Sequence, residues 1–312
     1  MLQLAWSYIY WYLRPILKWF LRRSTKLCEL QRICYGVPRG AQRTLDVEYS
    51  LANSRSADIK RLISDLNRFS ESGRLKGETA KNIVNYAVFT VSKVKVIDLY
   101  IHEQFQKSFG VCVQQIWGYR QLLHEVENLR KTPYDSSNPE HEEKLLHLWN
   151  LLKPEEPLDG RLTKQWQDIG FQGDDPATDF RGMGLLGLEN LLFFASEYPK
   201  VAQHVLSHSK HPNYGFVYAV VGINITSMAY YLLRNGTAKT HVYNACSCVP
   251  TLKLFHTMYS YLFFEFDKFW INEKPKNVMQ FSIVRDKYEK NLKERLLDPN
   301  GILKLNFRVD DI

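Results

Sequence analysis

One short segment combines an arginine with acidic residues and glycines, a combination found where phosphate groups are handled. Residues 166–194 read WQDIGFQGDDPATDFRGMGLLGLENLLFF, and Arg181 is the only basic residue among them. Because a guanidinium keeps its charge and pairs with phosphate oxygens through a planar fork, Arg181 can act on a nucleotide held by a partner. It can also brace the segment by pairing with Asp174 or Asp179. The residue types alone leave both roles open and favour the brace.

The glycines around Arg181 predict a tightly shaped loop between two helical runs. Glycine adopts backbone angles closed to other residues and permits close approach of a neighbouring chain. Asp175 before Pro176 is typical of the start of a helical turn. Gln172 either orients a water molecule or caps the loop, and we expect the cap. The glycines of the segment are Gly170, Gly173, Gly182, Gly184 and Gly187.

Other chemistries fit this segment less well. It lacks the lysine of a phosphate-binding loop and the strand that precedes a dinucleotide fingerprint. A magnesium site is a further alternative, because carboxylate oxygens are the ligands of that ion. Three acids in a turn rich in glycine and proline are more typical of turn formation, so we expect no metal ligand. The candidate ligands are Asp174, Asp175 and Asp179, with His204, His208 and His211 farther along the chain.

The segment resembles the signature of the ELMO domain-containing family, in which Trp, three residues and Gly-Phe-Gln lead through Asp-Pro to Thr-Asp-Phe-Arg-Gly. The likeness covers almost the whole chain, and it is greatest to the short, membrane-associated members. The matching positions are Trp166, Gly170, Phe171, Gln172, Asp175, Pro176, Thr178, Asp179, Phe180, Arg181, Gly182, Gly184, Leu186 and Gly187. Further stretches that resemble this family are 28–34, 133–154, 218–226 and 264–270.

The resemblance implies an all-α protein, with a helical ELMO domain and an appended amino-terminal helical region. It also implies GTPase-activating activity toward Arf-like and Arf small GTPases, with Arg181 as the catalytic arginine supplied in trans. GTP and magnesium then belong to the partner, so we expect no cofactor and no turnover by this chain alone. The alternative is a non-enzymatic adaptor or scaffold that binds a GTPase. The resemblance gives loop-shaping or partner-binding roles to Trp166, Gly170, Phe171, Gln172, Asp175, Pro176, Thr178, Asp179, Phe180, Gly182, Gly184 and Gly187.

The charge balance and the amino terminus point to a lipid surface. The net charge of +8 favours acidic partners, and because no nucleic-acid-binding motif is present we expect no nucleic acid. Residues 1–21 are rich in Trp and Tyr, which prefer the headgroup level of a membrane. Arg14 and Lys18 interrupt the apolar run, so a spanning helix is disfavoured. We expect membrane association with the basic face toward lipid; a buried amphipathic helix is the alternative.

Apolar periodicity predicts helices along most of the remaining chain. Residues 36–57 lack sustained periodicity and are interpreted as a linker. The carboxyl tail is expected to be loosely attached. The predicted segments are a membrane-associating segment at 1–35, a helical region at 36–135, the ELMO domain core at 136–297 and a tail at 298–312.

The number and spacing of the cysteines indicate the cellular compartment. The five cysteines match neither a disulfide framework nor a zinc motif, which indicates a reducing environment. We therefore expect a cytoplasmic protein on the periphery of a membrane, with lipid droplet, mitochondrion and endoplasmic reticulum all compatible.

Overall fold

Helices account for nearly all of the regular structure. The computed structural model describes residues 2–304 and 306–307, with side chains from residue 12 onward. No strand occurs within these ranges, and the predicted all-α class is confirmed. The α-helices are α1 (Leu2–Thr25), α2 (Glu29–Gly36), α3 (Ala41–Ala52), α4 (Ala57–Glu71), α5 (Gly77–Lys95), α6 (Glu103–Lys131), α7 (Pro139–Leu152), α8 (Gly184–Glu197), α9 (Pro199–Ser209), α10 (Tyr218–Arg234), α11 (Lys239–Ala245), α12 (Leu252–Glu273) and α13 (Phe281–Arg295). Three 3-10 helices are η1 (Lys164–Ile169), η2 (Pro176–Gly182) and η3 (Val278–Gln280).

Packing divides the chain into two compact units. Unit 1 consists of Met1–Gln121 with Cys246–Val249, and unit 2 of Leu122–Ala245 with Pro250–Ile312. The division falls within α6. The predicted borders of the ELMO domain core, at residues 136 and 297, stay predictions.

Unit 1 is a bundle whose core is formed by α2 to α6. Helix α4 buries the apolar stripe predicted from its sequence, with Ile59, Leu62 and Leu66 all inaccessible to solvent. The predicted linker at 36–57 is wrong over most of its length, because α3 occupies it and buries five positions at helical spacing. Two of these positions are polar, so an apolar stripe was not visible in the sequence. The buried residues of α3 are Ala41, Thr44, Val47, Ser50 and Leu51.

Helix α1 turns its basic side toward the rest of unit 1. Arg14 lies 3.2 Å and Lys18 2.5 Å from the carboxylate of Glu29, and Arg22 donates to the carbonyl oxygen of Lys95. The expectation that the basic face points to lipid is therefore wrong for these three cations. The opposite side of α1 leaves large apolar side chains exposed: Tyr12, Leu13, Ile16, Leu17, Trp19, Phe20 and Leu21.

None of the helices described here has the length and apolar character needed to cross a membrane.

Unit 2 is organised around α8, which contacts α7, α9, α10 and α12. Helix α8 is apolar on nearly every side, as is typical of a helix buried within a domain. Its close approach to α10 depends on Gly222, because a Cβ at that position would lie 2.5 Å from Leu191 Cδ2. The helix ends before Pro199, since proline has no N–H to continue it.

Three buried polar side chains fix how α8, α10 and α12 meet. Asn190 Nδ2 donates to Thr226 Oγ1 over 3.1 Å, and Asn190 Oδ1 lies 2.6 Å from His256 Nδ1. Buried polar groups are costly unless they are hydrogen-bonded. The network therefore favours one arrangement of the three helices.

The described residues of the carboxyl tail, 298–304 and 306–307, are attached to the rest of unit 2, contrary to the expectation of a loose segment. Phe307 is buried, and its ring stacks on Tyr198 and Phe264 with centroid distances of 4.4 and 5.4 Å. Leu303 N donates to Nδ1 of the buried His241. The tail has no helical periodicity, so this contact was not visible in the sequence.

Candidate functional site

The predicted loop lies between α7 and α8 and contains the two 3-10 helices η1 and η2. Thr163 caps η1 by accepting from Gln165 N, and Asp175 caps η2 by accepting from Ala177 N over 3.0 Å. Pro176 occupies the first position of η2, where its fixed φ suits a helical turn. The prediction of Asp175 and Pro176 as a turn start is confirmed.

A row of aromatic rings forms the base of the loop. Consecutive rings lie 5.4 to 5.8 Å apart in edge-on or tilted contacts, and four of the five are almost completely buried. Such contacts add to the stabilisation from burial. In order along the row, the rings are Trp149, Trp166, Phe171, Phe180 and Tyr134.

Two glycines let the backbone of the loop approach neighbouring segments. Gly170 has a φ of 85°, and a Cβ there would lie 2.4 Å from Tyr218 N. Gly184 has a φ of 53°, and a Cβ there would lie 2.3 Å from the carbonyl oxygen of Thr132. Leu185 N donates to that same oxygen over 2.9 Å. The two positions therefore need glycine for both conformation and space.

An arginine does brace the loop, but it is Arg161. Its guanidinium lies 2.9 Å from Asp175 Oδ1 and 2.5 Å from Glu142 Oε2. Tyr134 donates its hydroxyl proton to Glu142 and lies beneath the same guanidinium. These contacts join the start of η2 to the first turn of α7.

Asp179 holds the other side of the loop. Its Oδ2 accepts from Gln172 N over 3.2 Å. Burial raises the pKa of Asp179 and the nearby Asp175 adds to this, while the Gln172 hydrogen bond opposes it. The Gln172 side chain is exposed, so the expectation that Gln172 caps the loop is reversed: Asp179 caps Gln172.

Arg181 projects into solvent near the end of η2. Within the part of the chain that the structure describes, it makes no hydrogen bond or ion pair. Its neighbour Gly182 is exposed and has open space where a Cβ would be. Asp174 contacts Gln167 instead of Arg181, and Asp179 is occupied by Gln172. The bracing role left open by the sequence is thus filled by another residue.

The predicted site residues divide into a buried base and an exposed face. Phe180, Gly184 and Gly187 lie at the base, where the Phe180 ring would be 3.3 Å from a Cβ on Gly187. Buried or half-buried positions are Trp166, Gly170, Phe171, Gly173, Asp175, Pro176, Asp179, Phe180, Gly184 and Gly187. Exposed positions are Gln172, Asp174, Thr178, Arg181 and Gly182.

The three loop aspartates do not converge as a metal site among the described residues. Asp175 pairs with Arg161, and Asp179 accepts from the Gln172 backbone. His211 is engaged locally, because its Nδ1 accepts from Asn213 N and Tyr214 N. The alternative of a magnesium site in this loop has no geometric support.

Comparison with known proteins shows which family the chain belongs to. A model of the ELMO/CED-12 family matches residues 124–285, which include the loop and its aromatic base. The chain belongs to the ELMO/CED-12 family. The resemblance noted from the loop signature is therefore confirmed. Membership supports a role in the regulation of small GTPases.

Individual relatives match over nearly their full length. The chain is 46% identical to mouse ELMO domain-containing protein 2 over 303 residues, which cover 96% of this chain and 98% of the relative. It is 43% identical to mouse ELMO domain-containing protein 1, with coverage of 95% and 91%. ELMO domain-containing protein B of Dictyostelium discoideum is 30% identical, with coverage of 91% and 95%. No solved structure matches the chain.

The bracing contacts of the ELMO domain were not visible in the sequence. Glu142 reads there as an acid in the first turn of α7, where it suits the helix dipole. Arg161 lies 19 positions after Glu142 and 14 before Asp175, too far for a spacing rule. The one available signal was a lone arginine in the polar stretch before the Trp166 signature.

Proposed function

We propose that this chain is a GTPase-activating protein for Arf-like or Arf small GTPases, and that Arg181 supplies the catalytic guanidinium in trans. The observation that carries the proposal is the contrast between the two arginines of the site. Arg161 is half-buried and paired with two carboxylates, whereas Arg181 is exposed and unpaired on the loop that Arg161 fixes.

The proposed mechanism is electrostatic. Small GTPases hydrolyse GTP slowly because the charge on the transferred phosphate is incompletely stabilised, and an added arginine increases the rate by about 10³–10⁵. Arg181 enters the nucleotide site of the partner and neutralises charge on the γ-phosphate oxygens. Magnesium and nucleotide remain bound to the partner, and no covalent intermediate forms on this chain.

The geometry of the loop suits that task. A guanidinium is effective only if its position is fixed before the reaction, so that little reorganisation occurs in the transition state. The capped η2, the aromatic base and the Asp179–Gln172 hydrogen bond provide a rigid support. The exposed Gly182 leaves room beside Arg181 for a partner surface.

Single-turnover GTP hydrolysis by a panel of Arf-like and Arf GTPases tests the proposal against the adaptor alternative. The full chain is added to each GTP-loaded GTPase, and binding to the GTP form is measured in parallel. The proposal predicts faster hydrolysis with at least one member of the panel. Binding without any acceleration across the panel would identify an adaptor or scaffold and contradict the activating role.

We also propose that the chain works on the cytoplasmic face of a membrane, with the apolar side of α1 in the lipid interface. Because Arg14, Lys18 and Arg22 contact Glu29 and Lys95, the outward side of α1 is apolar. Exposed Trp, Tyr and Phe favour the headgroup level, and the exposed Arg23 and Lys26 near the helix end attract anionic lipid. All five cysteines are free thiols, as expected for a reducing compartment.

A further inference from the structure

Two histidines and an aspartate converge in unit 2, away from the Arg181 loop in sequence. His204 and His208 lie one turn apart on α9, with ring centroids separated by 4.0 Å. Asp267 projects from α12, and its Oδ2 lies 2.9 Å from His208 Nδ1. One donor atom from each of the three side chains lies within 4.8 Å of the other two. The cluster therefore connects two helices through potential ligand atoms.

Several buried polar atoms at this cluster have no partner among the described residues. They are His204 Nε2, Asp267 Oδ1 and the hydroxyl of Tyr218, which is close enough to Asp267 to interact with its charge. Asp267 is completely buried, with a side-chain exposure of 0%. Buried polar atoms are nearly always satisfied in native proteins, and several unpaired atoms in one place are available to bind a ligand.

The surroundings of the buried carboxylate favour a cation. Asp267 Oδ1 has no hydrogen-bond partner among the described residues, and Oδ2 contacts a single imidazole. A buried carboxylate is costly unless its charge is compensated, and one imidazole compensates it poorly. A bound cation would supply the counter-charge.

We infer that His204, His208 and Asp267 form a binding site for one divalent transition-metal ion, with Zn²⁺ the best match. Two imidazoles and a carboxylate are a common zinc ligand set, whereas calcium and magnesium prefer oxygen ligands alone. Histidines at positions i and i+4 of a helix face the same way, as in known helical zinc sites. Three protein ligands leave a fourth position for water on the partly exposed side of His208.

The ion would join α9 to α12. Both helices contact α8 or each other within unit 2, so a metal bridge stabilises the packing that supports the loop. Binding to the folded state alone raises the unfolding free energy in proportion to the logarithm of the metal concentration. From the sequence we named His204 and His208 only as possible partners of the loop acids and expected no metal ligand. Asp267 was not a candidate, because it lies 59 positions after His208 and no spacing rule joins them.

The test uses the untagged full chain after treatment with a chelator. Zn²⁺ is titrated by calorimetry, and Co²⁺ is used as a spectroscopic substitute whose visible absorption reports its ligands. The variants are His204→Gln and Asp267→Asn, which keep size and polarity. His211→Gln, a neighbouring histidine outside the cluster, is the matched control. Circular dichroism checks that each variant is folded.

The inference predicts one Zn²⁺ per chain, a rise in Tm on addition of Zn²⁺, and tetrahedral-type Co²⁺ absorption. Each cluster variant should weaken binding by at least about tenfold, and His211→Gln should bind like the wild type. Absence of stoichiometric binding by the wild type would overturn the site. So would equal binding by the cluster variants and the control. Neither result depends on GTPase stimulation.

Discussion

Two arginines in one loop carry different tasks, and their surroundings explain the difference. Arg161 lies between Glu142 and Asp175, so removing its side chain leaves two partly buried carboxylates without their cationic partner. Arg181 has no such contacts. A guanidinium that is not needed for stability is available for a partner. Its contribution to stability can be measured as the change in the free energy of unfolding when the arginine is replaced.

Substitution of the two arginines should therefore affect stability unequally. Arg161→Leu is expected to lower the free energy of unfolding by about 1–3 kcal/mol, because charged hydrogen-bonding groups lose their partner. Arg181→Leu is expected to change it by less than about 0.5 kcal/mol. Urea denaturation followed by circular dichroism provides both values. Equal losses for the two variants would show that Arg181 is a structural residue.

The two glycines that follow Arg181, Gly182 and Gly184, should differ in how much their replacement destabilises the protein. Gly184→Ala forces a Cβ against the Thr132 carbonyl oxygen at a positive φ, and we expect a loss of at least about 2 kcal/mol. Gly182→Ala meets open space and should cost less than about 0.5 kcal/mol. Thermal and urea unfolding would compare them. If Gly184→Ala were as stable as the wild type, the close approach of the loop to residue 132 would be wrong.

At the scale of elements, α1 has an unusual orientation for a helix on the surface of a protein. Its cations contact Glu29 and the Lys95 carbonyl, while Trp19 and Phe20 are 64% and 60% exposed. Isolated apolar side chains on a surface need no explanation, but a continuous apolar face marks a binding surface. A lipid interface is the partner that fits its aromatic content.

Polar substitutions on this face should release the protein from membranes. The triple change Ile16→Ser, Trp19→Ser and Phe20→Ser is expected to reduce recovery with anionic vesicles by at least about tenfold, since each side chain loses burial in lipid. Met279→Ser with Ile283→Ser is the control, because these apolar side chains lie elsewhere and are at least as exposed. Co-sedimentation gives the recovery. Unchanged recovery of the triple variant would remove the proposed lipid contact.

Two buried histidines make the stability of unit 2 depend on pH. Burial lowers the pKa of both His241 and His256 from 6.5 to about 4. The unfolded chain therefore takes up protons first as the pH falls. The stabilising contribution of each histidine is fully present above pH 6.5 and is lost progressively between pH 6.5 and 4. Each loses up to about 3 kcal/mol over this interval.

The contribution of each histidine is best measured by comparing the pH dependence of unfolding free energy in a variant and in the wild type. In the metal-free chain, burial raises the pKa of Asp267 to about 6, so its protonation below that pH favours the folded state and opposes the histidine trend. His241→Asn and His256→Asn should each show a shallower decline of unfolding free energy between pH 6.5 and 4 than the wild type. Urea unfolding at several pH values gives the slopes. Parallel slopes for variant and wild type would contradict the assignment.

At the scale of the whole molecule, the helical class followed from the sequence because apolar periodicity is a local property. The aromatic and glycine positions of the loop were likewise visible, since their residue types restrict the backbone directly. Long-range pairs were not visible. The Arg161 brace, the attachment of Phe307 and the inward side of α1 each depend on residues far apart in sequence, and α3 was hidden by its buried polar positions.

The central claim is that the Arg181 guanidinium accelerates hydrolysis of GTP bound to a partner. The direct test is single-turnover hydrolysis by a responsive Arf-like or Arf GTPase with wild type, Arg181→Lys and Arg61→Lys, the last being an exposed arginine of unit 1. We predict that Arg181→Lys keeps the Tm of the wild type but loses at least about 100-fold of the stimulation, because lysine lacks the planar fork. Arg61→Lys should stimulate like the wild type. Full stimulation by a folded Arg181→Lys variant would contradict the claim.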